Sequence, residues 1–213
     1  MKKEWSRTDM AAFLTSLSQG KIPVEKREDM PKNILNPLLK KRKENIGFTM
    51  SNIVWLGNQL ESTNYTESAL KNWVKREIKG YIGAPQVGRK YSVQQVAMLF
   101  IVKDLKVLLD FETIRKVLSS VFNNPVDRED DIISPIKYYE SYAILYEKLI
   151  HNGLLSEEQI KKEIVVFLEK EDGYSDVEKN KIFRALIVAI LAVRTNYLKA
   201  WAKRYVTDQN GKE

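Results

Sequence analysis

The sequence has no cysteine among its 213 residues. Disulfides, thiolate metal sites and cysteine nucleophiles are therefore excluded. Histidine is almost as scarce, since His151 stands alone. A multi-histidine zinc centre cannot be built, and a Ser-His-Asp triad would have to use that one ring. Long hydrophobic runs are missing too. The longest strongly apolar stretch, Ala185 to Val193, is far short of the ~20 residues that a helix needs to span a bilayer. Lys2 and Lys3 are followed by Glu4 and Asp9 rather than by an apolar segment. The start does not read as a secretory leader, and the expected location is the cytoplasm, with no membrane partner. No Walker A sequence and no G-x-G-x-x-G occurs, so nucleotide binding has no support and no cofactor is expected. An enzyme would have to work with carboxylates, lysines or tyrosines, and no paired arrangement of these stands out. The chain does not read as an enzyme.

What is present is apolar surface and positive charge. Hydrophobic residues make up 44%, enough for a core, and the net charge is +7. The charge is unevenly placed. Residues 1–123 carry 21 Lys and Arg against 12 Asp and Glu, whereas residues 124–213 carry 14 against 16. A basic first half suggests a polyanion partner, and the near-neutral second half a different task.

Almost every strong pattern has helical period. Residues 4–20 read as a short helix with Ala11, Phe13, Leu14 and Leu17 on one face. Residues 21–48 are less regular, because Pro23, Pro31 and Pro37 interrupt any long helix. This N-terminal segment, 1–48, closes on the basic run Lys40-Lys41-Arg42-Lys43, read as solvated linker or as a nucleic-acid contact. A compact block follows over residues 49–123. Thr49 or Ser51 can cap a helix carrying Ile53, Leu56 and Leu60, and Thr66 can cap a second one whose inner face is Leu70, Trp73 and Val74. A glycine-containing stretch, Lys79 to Tyr91, reads as a turn or small hairpin. Ser92-x-x-Gln95 is a capping box opening a helix expected to reach Leu109, and Asp110 can cap the next, with Ile114, Val117, Leu118 and Val121 on its face.

Asn123 to Asp131, with Pro125 and an acidic cluster, reads as a solvated linker without the spacing of a calcium loop. Residues 132–206 then form a helical C-terminal part. Ser134-Pro135 starts one helix, ending near Gly153, and Ser156-x-x-Gln159 and Ser175-x-x-Glu178 box two more. Tyr138, Tyr142 and Tyr146 form a stripe that reads as packing, with an aromatic ligand pocket as the sharper alternative. His151, near a helix end, is expected to meet terminal carbonyls. The last helix would be roughly 45 Å long, and its apolar centre, Ala185 to Val193, is expected to be buried on every side.

The second helix of the central block carries most information. Burying Leu70, Trp73 and Val74 leaves Glu67, Ser68, Lys71, Asn72, Lys75 and Arg76 facing outward. Polar and basic side chains on one helix face can contact phosphates and base edges in a major groove. Lys79, Arg89 and Lys90 flank the glycines of the following stretch and extend the positive surface. The bland reading of these residues is a solvated helix face. Trp73, three residues after Leu70, reads as core rather than as a base-stacking ring.

Three segments together resemble the winged helix-turn-helix of MerR-like regulators. They are Ser68-Ala-Leu-Lys-Asn-Trp-Val-Lys-Arg-Glu-Ile78, Gly88-Arg-Lys-Tyr-Ser-Val-Gln-Gln-Val-Ala-Met-Leu99 and Leu109-Asp-Phe-Glu-Thr-Ile-Arg-Lys-Val-Leu118. The nearer likeness, over roughly residues 20–125, is to a bacterial MerR-like family known only as a domain of unknown function. The resemblance implies DNA binding and transcriptional regulation, with Ser68, Lys71, Asn72, Lys75, Arg76, Lys79, Arg89 and Lys90 at the DNA. The sequence also departs from that pattern. The family's aromatic pair is Trp73-Val74, the turn at Glu61 to Tyr65 is longer than usual, and the cysteines of metal-sensing members are absent.

The expectation is therefore a mainly α protein: a MerR-like winged helix-turn-helix followed by an all-α bundle that dimerises, receives a small-molecule effector, or both. A homodimer is expected because a pair of modules reads two half-sites. The alternative is a helical interaction module whose winged helix binds a protein; a basic, polar recognition face speaks against it.

Overall fold

The computed structural model describes residues 4–23, 26, 28, 30–40, 46–124, 127–151 and 156–208. Lys41, Arg42 and Lys43 of the basic run lie outside them, as do Pro125, Gly153 and the side chains of Lys40 and His151. The described chain is mainly helical, with one two-stranded sheet. No helix among the described residues is long and apolar enough to cross a membrane.

The first helix, α1 (Arg7–Ser18), starts on a reciprocal cap: the Ser6 hydroxyl accepts from Asp9 N, and Asp9 accepts from Ser6 N, both at 3.0 Å. α2 (Lys32–Lys40) corrects the expectation of an irregular segment, because Pro37 lies inside it. Pro31 precedes the helix, and its carbonyl accepts from Ile34 N and Leu35 N. Ile34 and Leu38, one turn apart, are both buried, and that burial outweighs the interior proline's lost hydrogen bond.

β1 (Gly47–Phe48) leads into α3 (Met50–Gly57), boxed by Thr49 and Asn52. α4 (Glu67–Asn72) and α5 (Lys79–Ile82) follow, then β2 (Tyr91–Ser92), α6 (Val93–Leu105) and α7 (Phe111–Val121). α6 stops four residues short of Leu109, and Asp110 caps α7 through Thr113 N. The last three helices are α8 (Pro135–His151), α9 (Glu157–Glu169) and α10 (Asp176–Asp208).

α6 is the centre of the molecule. Every residue from Val96 to Val102 is buried, and α1, α8 and α10 pack around the helix. The all-round burial expected of Ala185 to Val193 therefore belongs to α6. In α10, Leu191 is 39% exposed and Ile187 and Val188 are only half-buried. One core joins Trp5 to Val193, and Tyr138, Tyr139 and Tyr142 lie fully inside it. Tyr138 donates to Ala185 O at 2.7 Å, so Tyr138 and Tyr142 of the stripe pack the core, whereas Tyr146 borders a small open pocket with Arg7, Glu61 and Glu147. The acidic stretch after α7 is only partly solvated. Arg128 pairs with Asp131 at 3.4 Å and donates to Tyr81 O, while Asp127, Glu129 and Asp130 are exposed.

Candidate nucleic-acid interface

α3 and α4 are joined by residues 58–66. Asn58 closes this connection by a reciprocal pair of bonds, donating to Tyr65 O at 3.1 Å and accepting from Tyr65 N at 2.7 Å. Lys103 donates to Asn64 O and sits 5.1 Å over the Tyr65 ring. Thr66 then caps α4 through Ala69 N. The connection is thus longer than a tight helical turn but fixed at both ends.

α4 does not stop at Asn72. It widens into a π turn, Trp73–Glu77, in which Ile78 N donates to Trp73 O at 3.0 Å, five residues back. Leu70, Trp73 and Val74 face inward, and Trp73 meets Phe111 edge-on at 5.9 Å. Helix α7 braces this segment from behind: Arg115 donates to Glu77 O at 3.0 Å, and Tyr81 donates to Arg115 O at 3.2 Å. Lys71, Lys75 and Lys79 succeed one another at four-residue steps and line one groove.

The opposite wall comes from a two-residue turn. Val87 and Lys90 exchange hydrogen bonds of 3.0 Å in both directions around Gly88-Arg89. Gly88 has φ +62°, a value that glycine adopts without strain. β1 and β2 pair antiparallel beside it, Gly47 opposite Ser92 and Phe48 opposite Tyr91. A side chain on Gly47 would lie 2.8 Å from Val87 Cβ and 2.9 Å from Lys90 Cβ, so only glycine lets the strand approach the turn this closely.

Gln95 fixes the loop on α6. It is fully buried; its amide donates to Ile82 O and Ala84 O at 2.7 Å each, and its carbonyl accepts from Gln86 N at 3.2 Å and Ser92 N at 2.9 Å. The capping box at Ser92 was legible in the sequence; the reach of the same glutamine to the far side of the loop was not.

The result is an open groove lined by Thr49, Met50, Lys71, Val74, Lys75, Lys79, Gly83 to Pro85, Arg89 and Tyr91, with no acidic side chain among these. Four of the expected residues converge here: Lys71, Lys75, Lys79 and Arg89. Ser68, Asn72 and Arg76 are exposed on the adjoining stripe of the helix, and Lys90 is half-buried in the turn; none of these four lines the groove. Lys71 pairs with Glu67 at 2.6 Å, whereas Lys75, Arg76, Lys79, Arg89 and Lys90 form no ion pair among the described residues. Sequence reasoning missed Thr49, Met50 and Tyr91, whose cap and strand roles drew no attention to their outer sides. Burial raises the Tyr91 phenol, which keeps it neutral and able to donate a hydrogen bond. Among the described residues, no group of three or more His, Asp or Glu side chains is placed to hold a metal.

The fold and groove thus define a mainly helical protein with an open, cation-lined surface. The chain belongs to the DUF1836 family, a domain of unknown function, which matches residues 29–142. It is also 35% identical over 225 residues to the uncharacterized protein YkrK of Bacillus subtilis (strain 168), an alignment covering 95% of this chain and 97% of that protein. No solved structure matches. The family segment runs from before α2 into the middle of α8 and so contains the whole groove.

Proposed function

We propose that the protein is a sequence-specific DNA-binding transcriptional regulator in which residues 49–123 act as a MerR-like winged helix-turn-helix. The supporting observation is the convergence of Lys71, Lys75, Lys79 and Arg89 on one groove without an acidic residue in its wall. Such a surface releases counterions when it meets a phosphate backbone. In this reading α4 and its π turn enter the major groove. Ser68, Asn72 and Arg76, on the exposed stripe, reach base edges, where Arg76 can contact a guanine through two hydrogen bonds. Arg89, at the tip of the two-residue turn, holds the flanking phosphates, and Lys90 supports it from the turn's base.

Binding to pooled genomic fragments at two salt concentrations, with the bound fragments sequenced, tests this reading. Enrichment of one palindromic site, with affinity falling steeply as salt rises, is the expected result. Lys75→Ala with Lys79→Ala should reduce the salt dependence by about one power of salt concentration per lost contact. If the double variant binds as the parent does, the groove is not the DNA surface. If no fragment is enriched, the regulator reading fails and the groove becomes a candidate surface for an acidic protein partner.

A further inference from the structure

The small pocket beside Tyr146 is separate from the groove and shares no residue with it. Its walls are the start of α1, Ser6 to Thr8, the connection residue Glu61, and Ala143, Tyr146, Glu147 and Ile150 of α8. The four α8 residues follow at steps of three, one and three, which places them on one helix face. The backbone fixes Glu61 against the start of α1: Trp5 N donates to Gln59 O at 2.8 Å, and Glu61 N donates to Trp5 O at 3.0 Å. The cavity measures about 190 Å³. That is the liquid volume of about six waters, and less than the roughly 300 Å³ at which sites for drug-sized molecules begin. It admits a small molecule and no peptide.

Two nearly buried polar side chains in the wall have bonding capacity to spare. Arg7, 5% exposed, spends Nε and Nη2 on Asp104, and its Nη1 makes no hydrogen bond among the described residues. Tyr146, also 5% exposed, has a hydroxyl with no hydrogen-bond partner among the described residues. Burial above all pushes its phenol up to about 12, so at neutral pH it carries its proton and can donate. Both groups ask for an acceptor.

Charge sets the other end of the ligand. Asp104 already neutralises Arg7, and the wall holds no other cation. Arg194 is felt at Tyr146 from outside the wall. Glu61 is half-buried, Glu147 is exposed at the rim, and neither forms an ion pair among the described residues. An ammonium group fits these two carboxylates, whereas a carboxylate or phosphate would meet like charge. The paired Arg7 and the neutral phenol offer donors without net charge, which match a neutral carbonyl or hydroxyl oxygen.

We propose that this pocket binds a small organic amine bearing a neutral acceptor oxygen. The ammonium lies on Glu61 and Glu147, the oxygen accepts from Arg7 Nη1 and the Tyr146 hydroxyl, and the carbon chain rests on Ala143 and Ile150. The binding holds whether or not the groove meets DNA, and its test needs no DNA.

Calorimetric titration of the full chain with three probes of matched length tests the proposal. 5-Aminopentanamide carries the ammonium and the neutral oxygen, 5-aminopentanoate exchanges the amide for a carboxylate, and pentanamide lacks the ammonium. The first should bind one to one, and the other two about tenfold more weakly or worse. Glu61→Gln with Glu147→Gln should weaken binding of 5-aminopentanamide by a similar factor. The circular dichroism melt of this variant should match the parent's, because neither carboxylate is paired within the fold. No saturable heat from 5-aminopentanamide at millimolar concentration overturns the proposal. So does equal affinity of the parent for either of the other probes, or undiminished binding by the folded double variant.

Discussion

Arg7 and Asp104 form a two-pronged ion pair in the core although 97 residues separate them. Arg7 Nε donates to Asp104 Oδ2 at 3.0 Å and Nη2 to Oδ1 at 2.7 Å, with the two side chains 5% and 3% exposed. Tyr142 OH donates to the same Oδ2 at 2.9 Å. The three residues tie α1 to α6 and α8, so the N-terminal helix is an integral wall of the bundle. Burial disfavours the Arg7 charge, but the Asp104 carboxylate more than offsets this and holds the guanidinium protonated.

Asp104→Ala should destabilise the fold by about 3–5 kcal/mol, because it leaves a buried guanidinium without its counter-charge. Replacing both partners by apolar residues, Arg7→Met with Asp104→Leu, should cost far less. Urea unfolding of the parent and both variants checks this. A single substitution no worse than the double one would mean that water reaches Arg7.

Gln95 supports the groove without lining it. Gln95→Leu removes four hydrogen bonds and leaves the Ile82 and Ala84 carbonyls and the Gln86 and Ser92 amides to find other partners. The expected loss is at least about 2 kcal/mol of stability. DNA affinity should fall as well at temperatures where the variant is fully folded, because the turn carrying Arg89 loses its anchor. Anisotropy titration beside an unfolding curve separates the two effects. Full affinity in the folded variant would show that the turn is held by β1 alone.

The local signals of this fold were readable in the sequence. Thr49, Thr66, Ser92, Asp110, Ser134, Ser156 and Ser175 all accept the backbone bonds expected of helix caps, because capping is settled within four residues. Features decided by tertiary contact were not. Nothing local distinguishes the apolar run in α6 from that in α10; which is buried all round depends on what packs beside it. The π turn at Trp73 and the helix through Pro37 are further cases in which packing overrode propensity. For the site, the helical spacing of Lys71, Lys75 and Lys79 was enough to mark a shared face, but the position of Arg89 across the groove from them depends on tertiary contacts of the turn. The pairing of Arg7 with Asp104 left no pattern in the sequence.

Two glycines should respond to the same substitution in opposite directions. A Cβ on Gly57 would lie 2.5–2.7 Å from the ring of Tyr65, which is buried and cannot yield. Gly57→Ala should therefore cost about 1–3 kcal/mol through overpacking. Gly80 lies within α5, is exposed and has open space around its Cβ position. Gly80→Ala should stabilise by about 0.5–1 kcal/mol by restricting the unfolded chain and favouring the helix. Thermal melts decide the matter. A neutral Gly57→Ala would mean that the α3–α4 connection adjusts freely.

Four tyrosines should set the alkaline limit of the fold. Burial pushes the phenols of Tyr65, Tyr138, Tyr139 and Tyr142 well above their ordinary value of 10.0. Below pH 10 these groups are neutral in both folded and unfolded chains, so their contribution to stability is fully present. Above it the unfolded chain ionises while the folded one resists, and each tyrosine then costs about 1.4 kcal/mol per pH unit. Four acting together remove about 6 kcal/mol by pH 11, comparable with the whole stability of a small domain. Tyrosinate absorbance should therefore rise in two stages. The second stage belongs to the buried four, in a steep step that coincides with loss of helical circular dichroism. If all ten tyrosines ionised together near pH 10 while the helices remained intact, the α6–α8 core would have to be open to hydroxide.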